Sequence, residues 1–386
     1  MREIRLKNGL KVIYVKRKNK ALAVQMLIKV GSNNENEHQA GYSHFLEHML
    51  FEGTDKRQDS NIIAREIEKI GGYFNAYTTN ERTCFFIKVP GKHAEIAVDV
   101  LSDMMQHSIF LDKILEKEKK VVVKEIDMVN DDPRNYQWTF FHQHLFQNHP
   151  TKNPVYGNRK SILTMKKKDI VDYYKKYYNP HNMTLILVGN VSNWKKLVKK
   201  YFTFTGGKEH SVKNVKQTPL KRNIDVKLKK KIISSYLVFG YKTVPRKHKD
   251  SYVLDVINGI LGKGQSGWMF DQIRGKKGLA YEVGTDHVAE KQFGEFAVHV
   301  SANKDKIPLV KRLIKQQMQR LKDVTELDLK ESKEFLEGNF LLSNEDNQRF
   351  ADTVAYGESV GDESFVHDFV SHIKEVTRKD VIRVTK

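Results

Sequence analysis

Apolar and polar residues along the chain fall into short runs with two different periods. Between Arg2 and Val15, two short β-like runs flank a turn at Asn8-Gly9, and another strand is expected over Leu22–Val30. A polar loop, Gly31 through Glu37, leads into Ala40–Phe51, where the apolar residues take helical spacing. Residues 60–70 (SNIIAREIEKI) predict an amphipathic helix with Ser60 as N-cap and Gly71-Gly72 as the stop. Strands are expected near 73–79 and 82–89, with a turn at Pro90-Gly91, then helices over 93–107 and 112–129. Asp131-Asp132-Pro133 breaks the second of these. An aromatic-rich helix over 136–147, a helix over 167–177 and a strand over 183–189 follow.

The pattern changes at 205–223 (TGGKEHSVKNVKQTPLKRN), which has almost no large apolar residues and predicts a linker. Beyond it the rhythm restarts. A strand over 232–241, a helix over 249–261, a Gly-rich turn at 262–267 and a helix over 268–274 are expected. Strands near 280–287 and 292–301 and helices over 305–322 and 327–341 complete the reading. The order resembles that of the first half, which suggests two copies of one α+β unit. The expected domains are 1–204, the linker 205–223, and 224–386.

Composition narrows the class. Lys+Arg number 67 and Asp+Glu 47 in 386 residues, a net charge of +20. The excess invites a nucleic-acid reading. However, the basic residues spread from Lys7 to Lys386 in short runs, without an aromatic-interleaved module or a helix-turn-helix signature, as on a solvated surface. No stretch approaches the ~18 apolar residues of a membrane span. The N-terminus, MREIRLKNGLKVIYVK, lacks the apolar core of a signal peptide, so a soluble, cytoplasmic protein is expected. The one cysteine, Cys84, excludes an internal disulfide and a zinc site built on several thiolates, and it reads as a packed small hydrophobe.

The sharpest local signal is His44-Phe45-Leu46-Glu47-His48. On a helix, His44, Glu47 and His48 share one face at i, i+3 and i+4. Two imidazoles one turn apart can bind one metal ion, with the acid between them reaching a water on it. The bland alternative is a surface helix with two histidines beside a glutamate. Phe45, Leu46, Met49, Leu50 and Phe51 argue instead for a buried helix, whose polar face needs partners. A catalytic zinc needs a third protein ligand. Glu118 and Glu125 stand seven apart on the helix 112–129, in one stripe with Val122 and Val129, and either could supply it. Salt-bridged surface acids would show the same spacing.

GYSHFLEHMLFEGT at 41–54 resembles the pitrilysin-type (inverzincin) metallopeptidases, in particular the short-chain branch related to mitochondrial processing peptidase. In that family His-x-x-Glu-His is followed, about 75 residues on, by a glutamate ligand. Residues 49–124, 76 in number, separate His48 from Glu125. GSNNENEHQAG at 31–41, NAYTTNERTCFF at 75–86, YYNPHNMTLILVGNV at 177–191 and RGKKGLAYEV at 274–283 resemble further landmarks in family order.

The resemblance implies an α+β fold: two similar sandwich domains, each a mostly antiparallel sheet covered by helices, forming half of a clamshell. It implies a zinc endopeptidase with one Zn²⁺ per chain, held by His44, His48 and Glu125, with Glu47 as general base toward the zinc-bound water. Glu118 joins the catalytic set as the acid that orients a ligand or tunes the site, with a ligand swap with Glu125 as the alternative. Asn75 and Ala76 belong to the substrate strand. Arg274 and Tyr281 hold substrate and the oxyanion. Because one chain is half of the clamshell and carries both the zinc motif and the Arg/Tyr pair, a homodimer is expected, with a related subunit as the alternative partner. Its chamber would take peptides or unfolded protein, and neither nucleic acid nor a membrane. The acidic walls of processing-peptidase relatives favour basic substrates, a preference that +20 does not obviously share. The turn at 262–267 is poorer in serine than the family's, and the family's final strand is not read in the last residues, VTRKDVIRVTK. Two competing readings are a non-catalytic partner or scaffold subunit of the same fold and a basic nucleic-acid-binding protein.

Overall fold

The strands over residues 11–16, 21–28, 83–90 and 183–189 are buried at nearly every position, as expected where both faces of a sheet are covered. The computed structural model describes residues 1–207 and 215–386, so part of the linker expected at 205–223 lies outside the described residues. The strands are β1 (Arg2–Arg5), β2 (Lys11–Lys16), β3 (Ala21–Ile28), β4 (Tyr73–Thr78), β5 (Thr83–Pro90), β6 (Met183–Gly189), β7 (Ser235–Thr243), β8 (Ala280–Ala289) and β9 (Gly294–Ala302). The first-half helices are α1 (Tyr42–Phe51), α2 (Ser60–Glu68), α3 (Ala94–His107), α4 (Asp112–Asp131), α5 (Pro133–Leu145), α6 (Arg159–Thr164), α7 (Lys167–Tyr177) and α8 (Trp194–Tyr201). The second half has α9 (Asp250–Gly262), a short α10 (Trp268–Phe270), α11 (Ile307–Arg320), α12 (Glu326–Ser343), α13 (Asn347–Val360), α14 (Phe365–Glu375) and α15 (Arg378–Val384).

Several element ends differ from expectation for local reasons. Asp59, not Ser60, caps α2: its carboxylate accepts from the Ile62 N–H at 3.0 Å. The aromatic helix begins at Pro133 rather than 136, because Asp132 caps it and proline suits the first helical position. The helix expected over 268–274 is α10 followed by a π-turn over Asp271–Gly275. Helices α6, α8, α13, α14 and α15 come in addition to the periodicity reading.

The chain divides into two compact units. The first comprises 1–130, the described part of Asn153–Asn214, and 344–359. Its six strands run in the order β1-β2-β6-β3-β5-β4, antiparallel except for the β2–β6 pair. Leu22, Val24, Met26 and Ile28 of β3 face a core shared with α1 and α3. On the opposite face, Gln25 donates to Asp352 of α13 at 3.0 Å. Strand β4 is an outer edge of this sheet.

The second unit comprises 131–152, 215–343 and 360–386. Its strands run β7-β9-β8, all antiparallel. Asn258 of α9 meets Thr285 on one face of the sheet, and His142 of α5 meets Glu295 on the other. Each unit thus closes its sheet with a helix from the other half of the sequence: α13 for the first, α5 for the second.

Candidate metal centre

Helix α1 starts where ordinary capping is impossible. Gly41, its N-cap, has φ 92°, and a Cβ there would lie 2.8 Å from the Tyr156 carbonyl oxygen. With no side chain to cap, the first turn is capped from the loop before it. The Glu35 carboxylate accepts from the Gly41 and Ser43 N–H groups, both at 2.7 Å. Burial pushes the Glu35 carboxyl up to about 7, against the pull of those two hydrogen bonds. The Ser43 hydroxyl also meets Tyr173 Oη of α7 at 2.8 Å.

The other end of the argument is apolar. Phe45, Leu46, Met49 and Leu50 are fully buried in the first unit's core. At roughly 1.5–3 kcal/mol each, they anchor the helix firmly. His44, Glu47 and His48 are left on its half-buried face. Helix α4 buries Leu115, Val122 and Ile126 by the same periodicity, which turns Glu118 and Glu125 toward α1.

The structure brings four of the expected residues into one cluster. Glu125 Oε2 lies 3.7 Å from His44 Nε2 and 3.4 Å from His48 Nε2. His48 Nδ1 lies 3.4 Å from Glu118 Oε2. One ligand atom from each of His44, His48 and Glu125 falls within 4.8 Å of the others. Glu118 continues outward: its Oε1 is 3.3 Å from Lys117 Nζ, which is 3.2 Å from Glu52.

These residues fit zinc. Two ligands about 2.05 Å from a tetrahedral ion stand about 3.3–3.4 Å apart, close to the 3.4 and 3.7 Å separations of Glu125 Oε2 from the two imidazoles. Glu125 Oε2 is buried and has no hydrogen-bond partner among the described residues, and neither has His44 Nδ1. A buried acceptor held at ion-pair distance from two imidazoles, with good hydrogen-bond geometry to neither, suits a cation shared among the three. The charges agree. Burial and the neighbouring His48 lower His44 to about 4, so it is a neutral donor. Burial alone would lower His48 as well, but the Glu118 and Glu125 carboxylates outweigh it and raise His48. Metal binding at neutral pH would displace that proton. Burial raises Glu47, opposed by a hydrogen bond from Thr78.

The remaining expected residues lie elsewhere. Asn75 and Ala76 sit on the edge strand β4, where Asn75 Oδ1 accepts from the Ala76 N–H at 2.8 Å and Asn75 Nδ2 donates to Tyr73 Oη at 3.0 Å. Arg274 and Tyr281 belong to the second unit. Arg274 lies over the Phe270 ring at 5.2 Å, and Tyr281 is 62% exposed, with Oη 3.2 Å from Asn303 Oδ1. Cys84 is fully buried, and burial pushes its thiol up to about 12. Two residues at the site lie inside segments that resemble family landmarks but were not singled out: Glu35, in the loop 31–41, and Thr78, in 75–86, whose hydroxyl donates to Glu47. Strand alternation put Thr78 on the α1 face, which was the available signal.

Residues 11–159 match the family model described as "Insulinase (Peptidase family M16)", and residues 164–336 match "Peptidase M16 inactive domain". The chain belongs to peptidase family M16. The His44–His48 motif and Glu125 fall in the first matched segment, and Arg274 and Tyr281 in the second. An "Uncharacterized zinc protease" of Rickettsia felis is 31% identical over 345 residues, covering 88% of this chain and 83% of its own. The Bacillus subtilis "Uncharacterized zinc protease YmxG" is 31% identical with the same coverages. A protease from Helicobacter pylori of known crystal structure shares the M16 fold at a TM-score of 0.94, with 24% identity, covering 100% of this chain and 95% of that one. Among the described residues no helix is long and apolar enough to cross a membrane.

Proposed function

We propose that the chain is a zinc-dependent endopeptidase that hydrolyses peptides or unfolded polypeptide segments. The observation that carries this reading is the convergence of Glu125 Oε2 on the imidazoles of His44 and His48, at 3.7 and 3.4 Å, with Glu47 on the same helix face as the histidines. His44, His48 and Glu125 would hold one zinc per chain. When bound there, zinc supplies a Lewis acid that polarises the scissile carbonyl and brings the pKa of water toward 7.

The chain's own residues do the rest. Glu47 accepts the proton of the attacking water and returns it to the leaving amine. Glu118 steadies His48 through its Nδ1 and is itself held by Lys117. The open edge of β4, at Asn75 and Ala76, takes the substrate backbone as an added strand, which selects for extended chains over folded ones. Residues 1–204 form the catalytic half and 224–386 the half that carries Arg274 and Tyr281, two donors suited to a developing oxyanion. In the proposed homodimer, each copy presents its Arg274 and Tyr281 to the other's metal centre across a chamber, in the cytoplasm.

Purified protein given an extended peptide and, separately, a folded domain tests this, with products read by mass spectrometry. Cleavage of the peptide alone, abolished by chelator and restored by zinc, is expected. Glu47→Gln should keep about one zinc per chain and lose at least about a hundredfold in kcat. Normal turnover by that variant would remove Glu47 as the base, and no zinc uptake by the unsubstituted protein would end the reading.

A further inference from the structure

The strand proposed to receive substrate also holds the proposed general base. Strand β4 alternates. Phe74 faces α1, its ring 5.6 Å from that of Phe51, and Thr78 faces α1 too, its hydroxyl donating to Glu47 Oε2. Tyr77 points to the other side of the sheet and donates to Asp352 of α13 at 3.1 Å. The backbone of Thr78 is fixed by pairing with Thr83 of β5, and Tyr73 through Tyr77 pair with β5 in the same register. The opposite edge of β4 is the sheet's outer edge.

Among the described residues, Thr78 is the one side chain hydrogen-bonded to Glu47. A glutamate's terminal torsion is broad, so its carboxylate takes the orientation that its partners impose. Threonine suits the task, because its β-branch leaves few χ1 choices once the strand is set. Leucine or valine would complete the alternation with Phe74 and Ala76 equally well. The hydroxyl is therefore explained by its acceptor rather than by packing.

We propose that Thr78 is a positioning residue for hydrolysis: its hydroxyl turns the Glu47 carboxylate toward the attacking water and ties that orientation to the strand on which the peptide lies. A peptide added to β4 steadies the strand, and through Thr78 it steadies the base. Substrate alignment and base alignment are thereby one event. The inference rests on the peptidase reading given above.

The test compares unsubstituted protein, Thr78→Val and Thr78→Ser on one extended fluorogenic peptide, with zinc content measured on each sample. Valine keeps the shape and removes the donor; serine keeps the donor and removes a methyl. Thr78→Val should lower kcat by about tenfold to a hundredfold, with KM within about twofold and zinc unchanged. Thr78→Ser should return kcat to within about threefold of the original. Unchanged kcat in the valine variant overturns the proposal. So does an effect on KM alone, a loss of zinc, or a serine variant as slow as the valine one, since each marks a role in strand shape or metal retention. Should valine disturb folding, Thr78→Ala against Thr78→Ser makes the same comparison. Inactivity of the unsubstituted protein with zinc bound would instead overturn the peptidase reading, and the role of Thr78 with it.

Discussion

The two units place a helix at the same topological position and use it in opposite ways. In the first unit, α1 follows β3 and lies against strands β4 and β5; in the second, α9 follows β7 and lies against β8. Helix α1 presents His44 and His48, which with Glu125 of α4 bring one possible ligand atom each within 4.8 Å of one another. Helix α9 presents Asp255, which receives Arg246 Nη1 at 2.6 Å and His287 Nδ1 at 2.7 Å. Burial would raise the Asp255 carboxyl, but the Arg246 and His287 charges outweigh it and hold it below the usual carboxylate range. The cation of the second cluster, Arg246, is permanent, whereas that of the first is the His48 imidazolium, which a metal can replace by displacing its proton. The same architecture therefore supports a closed structural ion pair in one unit and a cluster suited to a metal in the other, and the difference lies in whether the cation facing the carboxylate can give up its proton.

The largest expected effect breaks the first cluster. His44→Ala removes one of three proposed ligands, so zinc affinity should fall by more than the about 10–100-fold that loss of a neighbouring partner costs. Metal analysis after dialysis against a buffered chelator measures it. Retention of stoichiometric zinc would mean that the two helices differ less than their residues suggest.

Next is the matching change in the second unit. Asp255→Ala takes the carboxylate away from Arg246 and His287, which should cost about 3–5 kcal/mol in chemical denaturation. Zinc content should not change. If instead zinc is lost while stability holds, the division between a structural pair and a metal cluster is mistaken.

The smallest effect concerns the cap on α1. The folded Glu35 carboxyl is raised to about 7 from its ordinary 4.5. The folded state therefore binds this proton more tightly than the unfolded chain, and stability from this group is full below about pH 4.5 and is lost as pH rises through 7. Glu35→Gln is neutral throughout and should lack that slope. Denaturation midpoints of the two proteins across this range should diverge below pH 7, with the glutamate protein gaining relative to the glutamine variant as pH falls. Parallel curves would show that the hydrogen bonds from Gly41 and Ser43 keep Glu35 ionised.

Much of this was legible from local pattern. The i, i+3, i+4 spacing of His44, Glu47 and His48, and the apolar residues beside them, put one polar face on a buried helix, because helical periodicity is a short-range property. The same periodicity on 112–129 narrowed the further partner to Glu118 or Glu125. The resemblance pointed to Glu125 as the ligand; the tertiary structure puts its Oε2 against both imidazoles, which periodicity could not do, because a separation of 76 residues carries no geometry of its own. The tertiary structure alone linked Thr78 to Glu47, 31 positions apart, and assigned α5 and α13 each to the unit built mostly from the opposite half of the chain. Glu35 lay in a segment that resembles the family's loop before α1, yet its capping role was not legible there: it depends on a left-handed glycine that leaves the first turn of α1 without a side-chain cap of its own. Spacing along the chain determines which residues share a face. Which faces meet, and whether their charges cancel or call for an ion, depends on long-range packing that no local window of the sequence contains.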